Sequence, residues 1–225
     1  MPSYIVNEIF SSINGEGTLS GELAIFIRLA GCNLNCIYCD TVYAKHQNDG
    51  TLYTLEEIIQ KIKTFKGIRN ITLTGGEPLF RKDINYLLEA LTANGYLVNI
   101  ETNGSILLDS FINTQYSKQL IFCCDYKLPY SNEESKMKVK NLELLRDNDV
   151  LKFVIGSKQD LDKIFELLNN YNIKSYIYLS AVFNQITPKE IVERLLTWAP
   201  LINTSKIRVQ LQLHKYIWDP SCKGV

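Results

Sequence analysis

Apolar residues recur along this chain in two alternating rhythms. Continuous apolar runs at 24–29, 70–74, 97–100, 120–124, 151–155, 175–179 and 207–211 have the length and the Val, Ile, Leu and Phe content of buried strands. Between them the spacing turns helical. Thr54 with Glu57 three residues later reads as a capping box, and Ile58, Ile62 and Phe65 then share one face until Gly67. Ile84, Leu87, Leu88 and Leu91 do the same over 83–94, with Gly95 as the stop, and Leu161, Ile164, Phe165 and Leu168 over 160–171. Thr187, Pro188 and Glu190 supply an N-cap, a proline at the first position and an acid at the third, opening another helix. Strands that are apolar throughout and alternate with helices predict a parallel sheet covered on its faces. The seven strand candidates predict an α/β fold, an incomplete (β/α) barrel with a mainly parallel sheet.

The polar residues collect where these strands end. Thr74-Gly75-Gly76-Glu77-Pro78, Glu101-Thr102-Asn103-Gly104, Asp125-Tyr126-Lys127 and Ser180-Ala181-Val182-Phe183 each follow an apolar run, and ligands of parallel α/β folds gather at the C-terminal ends of strands. The adjacent glycines of the first segment let backbone approach a ligand, and the carboxylate of Glu77 is placed to take an ammonium group. Glu16, between Gly15 and Gly17, reads either as a solvated turn or as a carboxylate brought close to a ligand. Arg28 lies in an otherwise apolar strand, where a charged head needs an anion or a carboxylate.

Directly after the first strand, Cys32, Cys36 and Cys39 stand in a C-x3-C-x2-C pattern. Three thiolates can hold three corners of a 4Fe-4S cluster, and no fourth cysteine follows at ligand spacing, so one iron is left open to a small chelating ligand. A structural zinc site would want a fourth Cys or His, for which His46 is the nearest candidate. A disulfide framework fits poorly, because residues 1–10 carry Asn7 and Glu8 rather than a secretory apolar core, and six cysteines in 225 residues is not a disulfide-dense composition. Reduced thiols and a cytoplasmic location are expected. Cys123 and Cys124 fall inside a strand as small core residues; Cys222, in the tail, carries no assignment.

Composition narrows the partners. With 46% hydrophobic residues, 225 residues can bury about 70% of their extended surface, which predicts a single domain over 1–225 whose tail, about 213–225, lies near the active site. Twenty-four basic against 24 acidic residues leave no basic surface for nucleic acid. No run of 18 apolar residues offers a membrane span. A small-molecule substrate is expected.

The cysteine motif, with Tyr38 before its last cysteine, resembles the signature of the radical S-adenosylmethionine (SAM) superfamily. Together with Glu8-Ile9-Phe10, Ile13-Asn14-Gly15-Glu16-Gly17, Phe26 to Cys32, Cys39-Asp40-Thr41, Glu101-Thr102-Asn103-Gly104 and Gln212-Leu213-His214-Lys215, it is similar to the 7-carboxy-7-deazaguanine synthase family. That resemblance implies conversion of 6-carboxy-5,6,7,8-tetrahydropterin to 7-carboxy-7-deazaguanine with loss of ammonia, on the route to queuosine, using a 4Fe-4S cluster, SAM and Mg2+. It also implies a homodimer and an electron donor such as flavodoxin or ferredoxin. Carried over by position, Cys32, Cys36 and Cys39 hold the cluster and Thr41 holds Mg2+. Ile13, Asn14, Gly15, Glu16, Arg28, Thr74 and Pro220 contact substrate. Tyr38, Cys39, Asp40, Gly76 and Glu77 line SAM, as do Asp125, Tyr126, Lys127, Ser180, Ala181, Val182 and Phe183. This chain departs from the family pattern at Asn14, where Gln is usual, at Asp125-Tyr126 in place of Ser-Pro, and in continuing five residues past Pro220. The alternatives are a radical SAM activase of a glycyl radical enzyme, or a non-catalytic iron-sulfur or zinc protein.

Overall fold

A computed structural model describes residues 2–219 and 222–224. The seven expected strands are present as β2 (Leu23–Leu29), β4 (Asn70–Gly75), β5 (Leu97–Thr102), β6 (Leu120–Asp125), β7 (Val150–Ile155), β8 (Tyr176–Ala181) and β9 (Ile207–Gln210), and they pair in that order, all parallel. Two further strands extend the sheet antiparallel beyond β2, giving the order β3-β1-β2-β4-β5-β6-β7-β8-β9 with β1 at Ser3–Ile13 and β3 at Thr51–Thr54. The sheet is open, as an incomplete barrel requires.

The additional strands escape a periodicity reading for a physical reason. β1 is interrupted by polar Asn7 and Glu8 at a register shift against β2, and Asn7 uses its amide to tie the loops below, donating to the Tyr43 carbonyl at 3.1 Å. β3 has four residues at the sheet's edge, none of them buried.

Four helices, Leu55–Ile62, Ile84–Ala93, Lys158–Asn170 and Pro188–Trp198, present apolar faces to the sheet. Thr54 and Thr187 cap theirs as the sequence predicts, through reciprocal boxes with Glu57 and Glu190. The third helix starts two residues earlier than its apolar spacing indicates, because Ser157 closes a box with Asp160. Phe65 lies beyond the end of the first helix yet still packs, partly buried, on the core. Ile25, Ile27, Leu73, Ile100, Phe122 and Phe153 are fully enclosed in that core, and Cys123 and Cys124 are buried within β6. No helix among the described residues is long and apolar enough to cross a membrane.

Alternate strand residues face inward, and the segment between β1 and β2 folds over that inner face. Its neck is closed by Asn14 N–H to the Glu22 carbonyl and Gly21 N–H to the Asn14 carbonyl, both 2.8 Å. Its tip reaches across the open sheet to β9, where Gly17 N–H donates to Gln210 Oε1 at 2.7 Å. Gly17 has φ +76, a backbone that glycine adopts without strain.

Candidate active site

A cleft of about 780 Å³ opens at the C-terminal ends of the parallel strands. Its wall on the β2 side is the cysteine loop, which is pinned by the residues between its thiols. Asn33 donates to Ser105 Oγ at 2.8 Å and accepts from Asn103 Nδ2 at 3.0 Å, while Asn35 N–H donates to Glu133 Oε1 at 2.7 Å. Cys32 and Cys36 are partly buried, Cys39 is exposed, all three are free and all line the cleft. The Cys32 sulfur faces two N–H donors, Leu34 N at 3.4 Å and Asn103 Nδ2 at 3.7 Å. Burial pushes the Cys36 thiol up to about 11 against the pull of Lys127, and raises Cys32 as well. Three free sulfurs on one loop, with N–H groups directed at the first, are a donor set whose chemistry suits a 4Fe-4S cluster.

The floor is charged. Lys152, inward-facing in the middle of β7 and 9% exposed, reaches Glu16 at 3.2 Å, Glu101 at 3.3 Å and Asp125 at 3.2 Å. Burial works against its charge, but the three carboxylates more than offset this and hold its pKa well above the ordinary lysine value. Burial also pushes Glu101 up, with Lys152 pulling back, whereas at Asp125 the pull of Lys127 and Lys152 outweighs burial and holds the carboxyl low. Glu16 is further gripped by Gln210 Nε2 at 3.1 Å and Gln212 Nε2 at 3.3 Å. Next to it, Asn14 Oδ1 accepts from Thr72 at 2.5 Å, which leaves the buried Asn14 Nδ2 without a partner among the described residues.

On the β2 side of the cleft, Arg28 pairs with Thr74 across the ladder and donates from Nε to Glu8 at 2.7 Å. Its guanidinium lies 5.6 Å from the Tyr43 ring centroid.

The cleft collects most of the residues expected from sequence: Ile13 to Glu16, Arg28, Cys32, Cys36, Tyr38 to Thr41, Thr74, Gly76, Asp125, Lys127 and Ala181 to Phe183. Thr41 Oγ1 there donates to Asp40 Oδ1 at 2.9 Å. Three of the expected residues do not line the cleft. Glu77 is fully enclosed and does not line the cleft; it caps the turn Pro78–Phe80 and accepts from Leu79 N–H at 2.9 Å, Thr102 Oγ1 at 2.8 Å and Asn103 N–H at 2.6 Å. Its carboxylate is occupied in fastening β4 to β5, and burial pushes its pKa up to about 7. Tyr126 turns into the core against Phe153, with centroids 6.0 Å apart. Ser180 is completely buried behind Glu16, at 3.4 Å. Pro220 lies outside the described residues. The glycines before Glu77 also serve a purpose other than the expected one: a Cβ on Gly76 would stand 2.3 Å from the Gly31 carbonyl oxygen and one on Gly75 2.0 Å from that of Leu29, so they admit the base of the cysteine loop.

Sequence reasoning missed Lys152, Gln210, Glu8 and Tyr43. Lys152 carried the signal that identified Arg28, a lone charge in an apolar strand.

Three cysteines on a loop at the C-terminal rim of an open parallel α/β sheet define a radical SAM enzyme, and the profile of the Radical SAM superfamily matches residues 26–114. The crystal structure of QueE from Escherichia coli has the same fold, with a TM-score of 0.70 at 22% identity over 92% of this chain and 94% of that one. The chain is 44% identical to the 7-carboxy-7-deazaguanine synthase of Clostridium acetobutylicum over 99% of its own length and 100% of the relative's. It is 31% identical to that of Leptospira interrogans, over 95% and 94%. The chain therefore belongs to the 7-carboxy-7-deazaguanine synthase family.

Proposed function

We propose that this chain converts 6-carboxy-5,6,7,8-tetrahydropterin to 7-carboxy-7-deazaguanine and ammonia, in 7-deazapurine (queuosine) biosynthesis. The atoms balance without an external oxidant, since the substrate's composition equals that of product plus ammonia. The observation that carries the reading is that one cleft brings together a cluster-binding loop, an arginine suited to a carboxylate and a carboxylate suited to the amino-pyrimidine edge of a pterin.

Cys32, Cys36 and Cys39 would hold the 4Fe-4S cluster, which together with SAM would supply a hydrogen-abstracting carbon radical. The chain's own residues position the substrate. Arg28 takes the pterin carboxylate, Glu16 accepts hydrogen bonds from the amino-pyrimidine edge, and the free Asn14 Nδ2 donates to a ring acceptor. Lys152, 3.2 Å from Glu16, holds that carboxylate in place for this purpose. Thr41 offers a hard oxygen for Mg2+. Tyr38 to Asp40, Gly76, Lys127 and Ala181 to Phe183, which line the cleft, would contact SAM. We further infer a single cytoplasmic domain that works as a homodimer and draws its electron from a flavodoxin or ferredoxin.

The test is anaerobic turnover of the cluster-loaded protein with reductant, SAM and the carboxypterin. Product and ammonia should appear in equal amounts, and Arg28→Ala should lower use of the carboxypterin about ten- to 150-fold. SAM cleavage without ammonia release would refute the substrate assignment.

A further inference from the structure

We propose that Lys223, on the C-terminal tail, is a specificity residue that supplies the uncompensated positive charge for the substrate's carboxylate, with the Tyr43 ring as its platform. The inference rests on the assignment of the Arg28 corner to that carboxylate, and it begins from a charge count. Arg28 is bonded to Glu8 at 2.7 Å, and the Tyr43 hydroxyl adds a hydrogen bond to the same carboxylate oxygen at 3.4 Å. The Arg28–Glu8 pair is therefore neutral as a unit, and an incoming carboxylate gains from its N–H geometry but meets no net attraction.

Lys223 changes that balance. Its Nζ stands 4.3 Å from the Tyr43 ring centroid, and Lys223 and Gly224 line the same cleft as Arg28. Cys222 N–H donates to the Asp219 carbonyl at 2.9 Å, and Gly224, at φ +71, passes beside Glu8, where an added Cβ would lie 3.7 Å from Oε2. Lys223 is in no ion pair among the described residues. One ring thus carries two cations, with a single carboxylate bonded to only one of them. An exposed ammonium gains little from a ring face alone, which leaves Lys223 available to an incoming anion. A carboxylate bound at this corner pairs with Lys223 as well as with the N–H groups of Arg28. The ligand this geometry selects carries a carboxylate, and an analogue without it loses the contact.

The test is calorimetric binding of two ligands, the 6-carboxypterin and the pterin lacking its carboxylate, to the enzyme with oxidised cluster and SAM. Lys223→Met should weaken the carboxypterin about two- to fivefold, as expected of an exposed ion pair, and the difference should shrink at high salt. Binding of the carboxylate-free pterin should not change, and Lys223→Arg should restore the loss. In turnover the change should fall in KM and not in kcat. Equal effects on both ligands, or no effect on either, would overturn the proposal. Arg28→Ala separates the two readings. If it discriminates between the ligands and Lys223→Met does not, the corner binds the carboxylate without Lys223. If Arg28→Ala fails to discriminate, the assignment of the corner is wrong whatever Lys223 does.

Discussion

Replacing Lys152 by Met tests the charged floor of the cleft, because it removes one ammonium from three carboxylates while keeping the length of the side chain. The three contacts lie at 3.2, 3.3 and 3.2 Å, and none of the four side chains is more than 21% exposed. Removing one partner from a buried ion pair costs about 3–5 kcal/mol, since the remaining charge stays desolvated. Asp125 keeps Lys127 as a partner, whereas Glu16 and Glu101 lose their ion-pair partner. The pH dependence has a definite sign. In the unsubstituted chain Asp125 has a lowered pKa, so its contribution is present above the unfolded value and is lost as pH falls. Without Lys152 the buried Glu101, already pushed up by burial, loses the charge that pulls it back, so the variant is penalised at high pH and recovers as Glu101 takes up a proton. The deficit of Lys152→Met should thus be greatest near pH 8 and should shrink towards pH 5. Urea unfolding of the cluster-free protein at both pH values measures it, with Lys152→Arg as the charge-preserving control. A deficit below about 1 kcal/mol at pH 8, or one that is the same at pH 5, would refute the reasoning.

Gly76→Ala should place a methyl 2.3 Å from the Gly31 carbonyl; the cysteine loop must shift, and we expect roughly 1–3 kcal/mol lower stability with reduced iron content after reconstitution, read by thermal unfolding and iron analysis. Glu77 has a folded pKa of about 7, raised from 4.5 by burial, so its contribution is complete below 4.5 and is lost as pH rises through 7. Glu77→Gln should therefore gain relative to the unsubstituted protein between pH 5 and 8, by about 3 kcal/mol if the full shift is expressed, and parallel unfolding curves would contradict this. Thr41→Ala should slow turnover most when Mg2+ is scarce, with partial recovery in excess; identical rates in chelator and in Mg2+ would remove the metal from the reaction.

The parallel half of the fold was legible because its strands are apolar on both faces and its helices carry their own start signals. Ser157 shows the limit of that legibility: its box with Asp160 begins the helix before the apolar face does. β1 was not legible because Asn7 and Glu8 break its pattern, and both are polar for tertiary reasons, Asn7 holding the Tyr43 carbonyl and Glu8 holding Arg28. The same divide runs through the site. Cys32, Cys36, Cys39 and Arg28 could be read because a fixed spacing or a solitary charge marks them. Lys152 carried the second of these marks and went unread, while Gln210 carries none, since a polar residue near the end of a strand has no pattern to violate.

The misplacement of Glu77 shows why loop residues are harder to assign than loops. Gly75 and Gly76 line the cleft, as their position after β4 implies, and Glu77 is enclosed behind it, but what all three serve is the next layer outward. The glycines accept the backbone of Leu29 and Gly31, and Glu77 draws in Thr102 and Asn103. Asn103 in turn reaches the Cys32 sulfur and the Asn33 side chain. A chain of contacts thus runs from a fully buried carboxylate to the Cys32 thiol, and the ends of β4 and β5 set the position of a loop that follows β2. An acid at a strand end can satisfy a ligand or the loops that hold one, and its composition is the same in both cases. Only the count of donors around Glu77, three for two oxygens in a site closed to solvent, distinguishes the second role from the first.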